Sequence, residues 1–503
     1  MKRNRFIRRG VALVALCALL SGCSPVAFEV QKDPVEVALP EPEAGVPEAP
    51  MGDSKREDSA LISLYYISED GQALKQIQRQ VSLPSDKTLE EVVAENLLSM
   101  PENAALGAVA PYGTTLLSLE QSNGVVTVDL SIDARSVENE QALLNMRAAF
   151  ANTLCALDGV AHVNLLIGGQ EEGILGMPMG SMGKNDGNLA TLWAQVQADE
   201  ARFVQGLEGE HTLERNVTFY FPAQDDVYIL PEVRSIVFSD ENYPQTLMTE
   251  LLKGSGAEQG VRNLTLQNSE VLTSAPEIQL SEDGLKQICF RFAPNLREML
   301  NQAGVSEGQF FAALVYTMSG FVPELEGVTA FIGDQAVSEV QLGGQMLSFE
   351  DGVMRREDFH NAAGRQVELY FAAEEGGLTR ITRAMDQQSA ASPRVLLMEL
   401  FAGVRPGENA QNVAPTGLLD TDILGVHIEG DQALVNLSAN FYRCCQTLDA
   451  KAERNLVYAM VNTLTELDGV KTVQFYIEGE VVDVLSQQIY IKAPLMRNPG
   501  IIQ

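Results

Sequence analysis

The chain has 503 residues, and its 35 lysines and arginines are outnumbered by 68 aspartates and glutamates, which gives a formal net charge of −33. Phosphate binding depends on an excess of lysine and arginine, so this balance disfavours nucleic acids as partners. The same acidity also serves simply to keep an exposed protein soluble. A hydrophobic content of 45% permits buried cores, and the length predicts roughly three domains of about 150 residues each.

The N-terminus has the features of a bacterial export signal. Five basic residues precede the apolar stretch Val11–Leu20, which is too short to span a hydrocarbon layer about 30 Å thick. The following Leu-Ser-Gly-Cys sequence resembles the lipobox of bacterial lipoproteins, and the resemblance implies that Cys23 receives a diacylglyceryl group and begins the mature chain. The alternative is an ordinary signal peptide with a chance cysteine. We predict a signal peptide over residues 1–23 and lipidation of Cys23.

Removal of this leader leaves 30 basic and 68 acidic residues, a formal charge of −38. Two or more acyl chains hold a protein stably on a bilayer, so we expect the protein to be anchored on the extracytoplasmic face of the cell membrane without spanning it. Residues 24–60 contain six prolines among acidic residues and alanines. This composition predicts a disordered tether, with a maximum reach of about 120–130 Å.

A cassette of helix, stop and strand occurs twice in near copies, at Asn152–Gly169 and Asn462–Gly479, and in a worn copy at Tyr316–Asp334. Its apolar residues first recur every three or four positions, as in an amphipathic helix, and then at every second position, as in a strand. An Asp-Gly pair between the two parts predicts the end of the helix. Within the helix, Asn152 and Asn462 are expected to face solvent.

The segment before the first cassette predicts two strands, a helix and a hairpin. The strands are Leu61–Ser68 and the following LKQIQRQVSL, and the helix is Thr88–Met100, with Thr88 as its N-cap and Glu91 completing a capping box. An Asn-Gly pair joins the next two strands as a hairpin. The predicted order is β-β-α-β-β-α-β, an α+β fold in which a small mixed sheet carries two helices.

The same order is predicted twice more, so we expect three tandem domains, which we call the first, second and third modules. In the second module, Gly320 and Pro323 predict a kinked cassette helix, and the strand after it is expected to be shorter. The predicted boundaries are first module 61–170, linker 171–214, second module 215–335, linker 336–364, third module 365–482 and C-terminal tail 483–503.

The motifs shared by these segments resemble the GerMN domain, a family known from sporulation and germination lipoproteins of spore-forming bacteria. They are an L-Y-F/Y first strand, a P-x-G-T turn, V-x-V-D/N-L-S, and N-T-L-x-x-L-D-G-V-x-x-V. The resemblance implies a lipoprotein, a fold similar to the ring-building modules of sporulation channels, and a role in assembly without catalysis. A third copy departs from the usual two.

The sequence contains neither a catalytic nor a metal-binding motif, and we predict no enzyme activity and no cofactor. The four histidines lie far apart, and Asp129 and Asn436 are expected to end strands. The loop Gly254–Gly256 is interpreted as a helix end, although it faintly resembles a phosphate loop. Beyond Cys23 the chain has Cys155, Cys289 and the adjacent pair Cys444 and Cys445. Cys155 and Cys289 are expected to be small buried hydrophobic residues more often than disulfide partners.

Three connecting segments leave alternatives open. Gly173–Asn188 is rich in glycine and methionine and predicts a flexible joint or an adaptable contact surface. Leu192–Val204 predicts a short helix docked on the second module. The tail Ile489–Ile502 ends apolar and is expected either to pack on the third module or to offer a partner site.

Two hypotheses for function remain. The first is an anchored, non-enzymatic scaffold of the cell envelope, acting in sporulation or spore germination, whose partners are the membrane through Cys23, other envelope proteins or further copies of itself. The second is an extracytoplasmic lipoprotein that binds a cell-wall glycan or peptide between its domains. A single tryptophan and 6% aromatic residues disfavour glycan capture.

Overall fold

The structure is a computed structural model, and it describes residues 47–53, 58–84, 87–206, 211–257, 260–262, 268–281, 284–486 and 489–503. These residues form both α-helices and β-strands. The α-helices are α1 (Leu89–Leu98), α2 (Glu140–Leu154), α3 (Leu189–Phe203), α4 (Tyr243–Leu251), α5 (Asn268–Val271), α6 (Leu296–Gln302), α7 (Glu307–Ser319), α8 (Gln387–Ala391), α9 (Pro393–Ala402), α10 (Ala439–Cys445) and α11 (Ala450–Leu464). The β-strands are β1 (Asp58–Ser68), β2 (Leu74–Leu83), β3 (Leu106–Gly107), β4 (Leu116–Ser122), β5 (Val125–Leu130), β6 (His162–Ile167), β7 (Leu213–Pro222), β8 (Ile229–Phe238), β9 (Glu277–Leu280), β10 (Lys286–Phe292), β11 (Leu325–Ile332), β12 (Gln335–Ala336), β13 (Glu339–Leu342), β14 (Gln345–Ser348), β15 (Arg365–Ala372), β16 (Leu378–Met385), β17 (Ile423–Glu429), β18 (Gln432–Leu437), β19 (Thr472–Ile477) and β20 (Leu495–Met496).

The first module follows the predicted order of elements and confirms an α+β fold. The Thr88 hydroxyl accepts from the Glu91 N–H at the start of α1, and the Glu91 carboxylate accepts from the Thr88 N–H, which completes the capping box. Asn123 and Gly124 both have positive φ, as a two-residue hairpin turn between β4 and β5 requires. The strands divide into two sheets: the antiparallel pair β1–β2 with the short β3, and a sheet in which β5 lies between antiparallel β4 and parallel β6.

The third module repeats this plan. β15 and β16 form an antiparallel pair, and β18 lies between antiparallel β17 and parallel β19. The β15 strand has the predicted bounds, Arg365–Ala372. The tail packs on this module, because β20 pairs with β19 and Ile491 is buried.

The second module has the same succession, with β7–β8 as its hairpin and β10 between antiparallel β9 and parallel β11. The predicted kink in its cassette helix is wrong, because α7 ends at Ser319, so Gly320 and Pro323 follow the helix. The predicted shortening of its strand is also wrong. β11 begins at Leu325, before Gly327, and spans 8 residues, whereas β6 spans 6.

A buried threonine joins the first strand of each module to its second helix. The backbone N–H groups of Tyr65, Tyr220 and Tyr370 donate to the hydroxyls of Thr153, Thr317 and Thr463 at 3.0, 3.1 and 3.2 Å. All three threonines have no exposed surface. The hydroxyl satisfies a donor on the side of the strand away from its hairpin partner, where a buried amide without a partner would be costly.

An arginine on the second hairpin strand forms another contact common to the three modules. Arg79, Arg234 and Arg383 each lie opposite the residue three positions before that tyrosine. Each guanidinium reaches the C-terminal end of the first helix of its module: Arg79 bonds Ser99 Oγ at 2.8 Å, Arg234 the Gly254 carbonyl at 2.6 Å and Arg383 the Gly403 carbonyl at 2.8 Å. A positive charge is favourable there because the terminal carbonyls lack helical partners.

The connector between the first two modules is a packed segment. The Ser181 N–H donates to the Asn216 carbonyl at 2.8 Å, and Met182 pairs with Val163 of β6. Met177 is fully buried. Apolar side chains from the first two modules therefore form one continuous core, whereas those of the third module form a core of their own. Of the two alternatives for this segment, the structure favours the contact surface.

Replacing Thr317 by valine tests the threonine contact. The variant keeps the shape of the side chain but leaves the Tyr220 N–H without its acceptor, so we expect the free energy of unfolding to fall by about 1–3 kcal/mol. Urea denaturation measures the change. Thr317→Ser keeps the hydroxyl and loses one methyl group, with an expected cost of about 1 kcal/mol. Equal stability of Thr317→Val and wild type would contradict this role.

Candidate functional site

The predicted lipidation site, Cys23, lies outside the described residues, as does the signal peptide. Within the residues that the structure describes, no helix combines the length and apolar character needed to cross a membrane. The structure describes residues 47–53 and 58–60 of the predicted tether. Residues 50–53 contact the third module.

Asn152 and Asn462 are buried, so the expectation that they face solvent is wrong. Only 1% and 0% of their surfaces are exposed. The side-chain amide of Asn152 donates to the backbone carbonyl of Asn185 and accepts from its N–H, and Asn462 makes the same pair of bonds with Asn498. Both asparagines therefore hold the segment that follows the module's last strand against the cassette helix.

Asp129 and Asn436 fix the turns after β6 and β19. The Asp129 carboxylate accepts from the Gly169 N–H at 2.8 Å, and the Asn436 carbonyl accepts from the Gly479 N–H at 2.9 Å. Burial raises the pKa of Asp129, while the hydrogen bond from Gly169 opposes this shift. The prediction that both residues end strands is confirmed by their positions on β5 and β18.

The side chains that could bind a metal ion or form a disulfide do not cluster in the described part of the chain. Among the described residues, no three His, Cys, Asp or Glu side chains are placed to hold a metal ion, and the cysteines of this part of the chain are free thiols. Burial raises the pKa of Cys445 to about 12. In the Gly254–Gly256 loop, the Ser255 hydroxyl and Gly256 N–H donate to the Glu232 carboxylate, so its donors already serve a side chain.

A polar cleft of about 560 Å³ lies between the first and second modules. Its walls are the β4 edge, the turn after β6, the end of α7, the start of β11, residues 355–360, Ala363, and Gln387 of the third module. Ser319 lies on this wall, is buried, and its hydroxyl has no hydrogen-bond partner among the described residues. The cleft therefore contains a buried polar group that no described side chain satisfies.

A buried ion pair closes one side of the polar cleft. The Arg356 guanidinium contacts the Glu120 carboxylate at 2.8 Å and lies 3.7 Å from the ring centroid of Tyr316. Burial raises the pKa of Glu120, and the positive charge of Arg356 opposes this shift. Because Glu120 lies on β4 and Arg356 lies in the segment after the second module, the pair joins the first module to that segment, and the contact of Arg356 with Tyr316 extends it to the second module. Sequence reasoning missed it, since the partners are 236 residues apart.

A second, central cleft of about 680 Å³ is lined by residues of all three modules. His162 represents the first module, Glu232 the second, and Glu368 and Arg380 the third. Burial lowers the pKa of His162 and raises that of Glu368. Glu368 also contacts Arg380 at 3.3 Å, so this cleft presents both signs of charge.

Comparison with known proteins places two of these modules in a family. Residues 63–173 and 368–483 match the model of the Germane family, described as "Sporulation and spore germination". No curated protein matches the chain.

Three solved structures show a likeness to parts of the chain. The tandem GerMN domains of the sporulation protein GerM from Bacillus subtilis align over 59% of this chain and 99% of their own, with 18% identity and a TM-score of 0.23. The first of those domains alone aligns over 22% and 84%, with 20% identity and a TM-score of 0.19. A candidate lipoprotein from Clostridium perfringens aligns over 28% and 94%, with 19% identity and a TM-score of 0.17. Scores this low carry no argument.

The fold is that of a protein built from tandem α+β modules with clefts between them. The family matches confirm, for two of the three modules, the resemblance that their motifs predicted. The matched segments lie in the first and third modules. Membership of the second module in the family stays a prediction.

Replacing Arg356 by methionine tests the buried ion pair. The variant leaves the Glu120 carboxylate buried and without a counter-charge, so we expect a loss of about 3–5 kcal/mol of unfolding free energy at pH 7. The pKa of Glu120, already raised, rises further in the folded state of the variant. The folded state then binds more protons than the unfolded state, so the loss should shrink as the pH falls towards about 4–5.

Two further variants serve as controls, and urea denaturation measures the unfolding free energy of each variant. Arg355→Met removes the neighbouring arginine, which is 28% exposed against 9% for Arg356, and is expected to cost no more than about 1 kcal/mol. Arg356→Met combined with Glu120→Gln should recover most of the loss. A pH-independent loss in Arg356→Met would show that the ion pair is not its cause.

Proposed function

We propose that this protein is a membrane-anchored, non-enzymatic assembly protein of the cell envelope that acts in sporulation or spore germination. The observation that carries the proposal is the match of two separate segments to a family described by those processes. The lipobox-like Leu-Ser-Gly-Cys sequence at the end of an export signal supports an anchor at Cys23.

The architecture supports a scaffold. Several residues that differ among the modules line the inter-module clefts, whereas the threonine and arginine contacts shared by all three serve internal packing. The large acidic excess disfavours binding to anionic surfaces and leaves protein partners as the class best suited to these modules. Those partners are other envelope proteins or further copies of the chain.

Anchoring is tested by Cys23→Ala in cells. We expect the wild-type chain in the membrane fraction and the variant in the soluble extracytoplasmic fraction, because the diacylglyceryl group has no other attachment point. Cys17→Ala is the matched control, since Cys17 lies in the apolar stretch of the leader. Membrane retention of Cys23→Ala would contradict the anchor.

The scaffold role is tested separately. Crosslinking in sporulating cells should trap an envelope protein or a second copy, and sedimentation of the full chain in detergent should show association. A monomer by sedimentation together with no crosslinked product would contradict the scaffold, whatever the outcome of the Cys23 experiment.

The central cleft favours a second candidate, capture of a cell-wall peptide between modules. Its volume suits a small ligand, and its walls carry both carboxylates and an arginine. Muropeptides should then raise the melting temperature in a saturable manner, and Glu368→Gln should weaken the effect. A flat response across a panel of muropeptides would exclude this candidate.

A further inference from the structure

A short extended segment near the N-terminus binds the β17 edge of the third module. The Gly52 N–H donates to the Leu424 carbonyl at 2.9 Å, and the Asn436 amide donates to the Pro50 carbonyl at 3.0 Å. Asp53 contacts Arg394 at 2.7 Å. The segment therefore binds through its own backbone to a strand edge and to one polar side chain on the neighbouring strand, as in strand-addition recognition of peptides.

The fit of this segment is close. A Cβ atom at Gly425 would lie 2.6 Å from the carbonyl oxygens of Pro50 and Gly52, so only glycine permits this approach. Pro50 and Gly425 are buried as a result. This groove of the third module, formed by β17 and Asn436, is thus filled by a segment that precedes it by about 370 residues.

The first module has a corresponding groove, in which Ser118 stands where the third module has Gly425. Both hairpins have a register irregularity at the same place, between Leu116 and Ser118 in β4 and between Ile423 and Gly425 in β17. Ser118 pairs with Asp129 as Gly425 pairs with Asn436. The register therefore makes β4 and Asp129 the counterparts of β17 and Asn436.

In the first module this groove is open. Leu117, the counterpart of Leu424, is 57% exposed, and Ser118 is exposed as well. Among the described residues, none bonds to the Leu117 carbonyl or the Leu119 N–H outside the strand ladder. These groups and Asp129 line the polar cleft, where the unpartnered hydroxyl of Ser319 also lies.

Two differences distinguish the two grooves. Ser118 has a side chain where Gly425 has none, so an occupant of the first module's groove must lie farther from the strand than Pro50 and Gly52 do.

The second difference is a single atom at Asp129. In the third module Asn436 uses its oxygen for the Gly479 N–H and its nitrogen to donate to Pro50. Asp129 uses one oxygen for the Gly169 N–H, so its second oxygen takes the place of the donating nitrogen. An occupant must offer a donor to that oxygen, and a cation is the strongest donor to a carboxylate.

We propose that the β4 edge and Asp129 bind an extended, lysine- or arginine-containing peptide segment of a partner protein. The filled groove of the third module provides the example of strand-edge binding, with the occupant farther from the strand here because of Ser118, and the carboxylate of Asp129 sets the preference for a basic residue. Burial raises the pKa of Asp129, so a bound cation would also relieve the cost of keeping this carboxylate charged. The proposal rests on the proposed scaffold function and names the chemistry of its partner.

The probe is a fluorescein-labelled peptide, Gly-Ala-Ala-Lys-Ala-Ala-Gly, with matched peptides in which glutamine or glutamate replaces the lysine. Fluorescence anisotropy with the full chain in detergent measures their affinities. We expect saturable binding of the lysine peptide, at least fivefold tighter than the glutamine peptide, and no binding of the glutamate peptide. Asp129→Asn should remove the preference for lysine over glutamine, because it restores the amide found in the third module.

Two control variants separate the groove from its surroundings. Glu357→Gln removes an exposed carboxylate that also lines the polar cleft and should leave the preference unchanged. Ser118→Trp should fill the groove and abolish binding, with circular dichroism confirming that the variant is folded. The proposal is overturned if the wild-type chain binds no lysine peptide, if Asp129→Asn keeps the preference, or if Glu357→Gln loses it. Failure here leaves the anchoring and crosslinking results untouched, so the two proposals fail independently.

Discussion

The hydrogen bond from the tyrosine N–H to a buried threonine hydroxyl connects the two halves of each module. One half is the first hairpin with its helix, and the other is the cassette helix with the second sheet. The first strand bonds along one side to its hairpin partner, and on the other side the threonine supplies the acceptor that the buried amide needs. The arginine on the second hairpin strand then binds the C-terminal end of the first helix. We call these two contacts the common frame of the modules.

The three modules share this frame but differ in the residues on their outer surfaces. At one position, next to the end of the second sheet's central strand, the modules carry Asp129, Arg291 and Asn436. In the third module this surface is covered by an N-terminal segment, whereas in the first module the cleft beside it stays open. The shared cassette therefore carries structure, and differences in recognition arise where neighbouring segments cover or leave open the same sheet edge.

The sequence predicted correctly those features that depend on residues close together along the chain. The capping box at Thr88, the Asn-Gly hairpin and the bounds of β15 depend on residues a few positions apart, and sequence alone placed them. The burial of Asn152 was missed because its partner, Asn185, lies 33 residues away in a segment without periodicity. The end of α7 was missed because Gly320 and Pro323 were assigned to a helix that stops just before them. Contacts across hundreds of residues, such as Glu120 with Arg356, leave no local pattern.

Hydrogen exchange measured at individual amides tests most directly whether the modules share one frame but differ at their edges. The N–H groups of Tyr65, Tyr220 and Tyr370 should all be protected, and the Val426 N–H, which bonds Asp53 in the third module, should exchange more slowly than its counterpart at Leu119. Rapid exchange at any of the three tyrosines would contradict the common frame. Equal protection at Leu119 and Val426 would contradict the open groove in the first module.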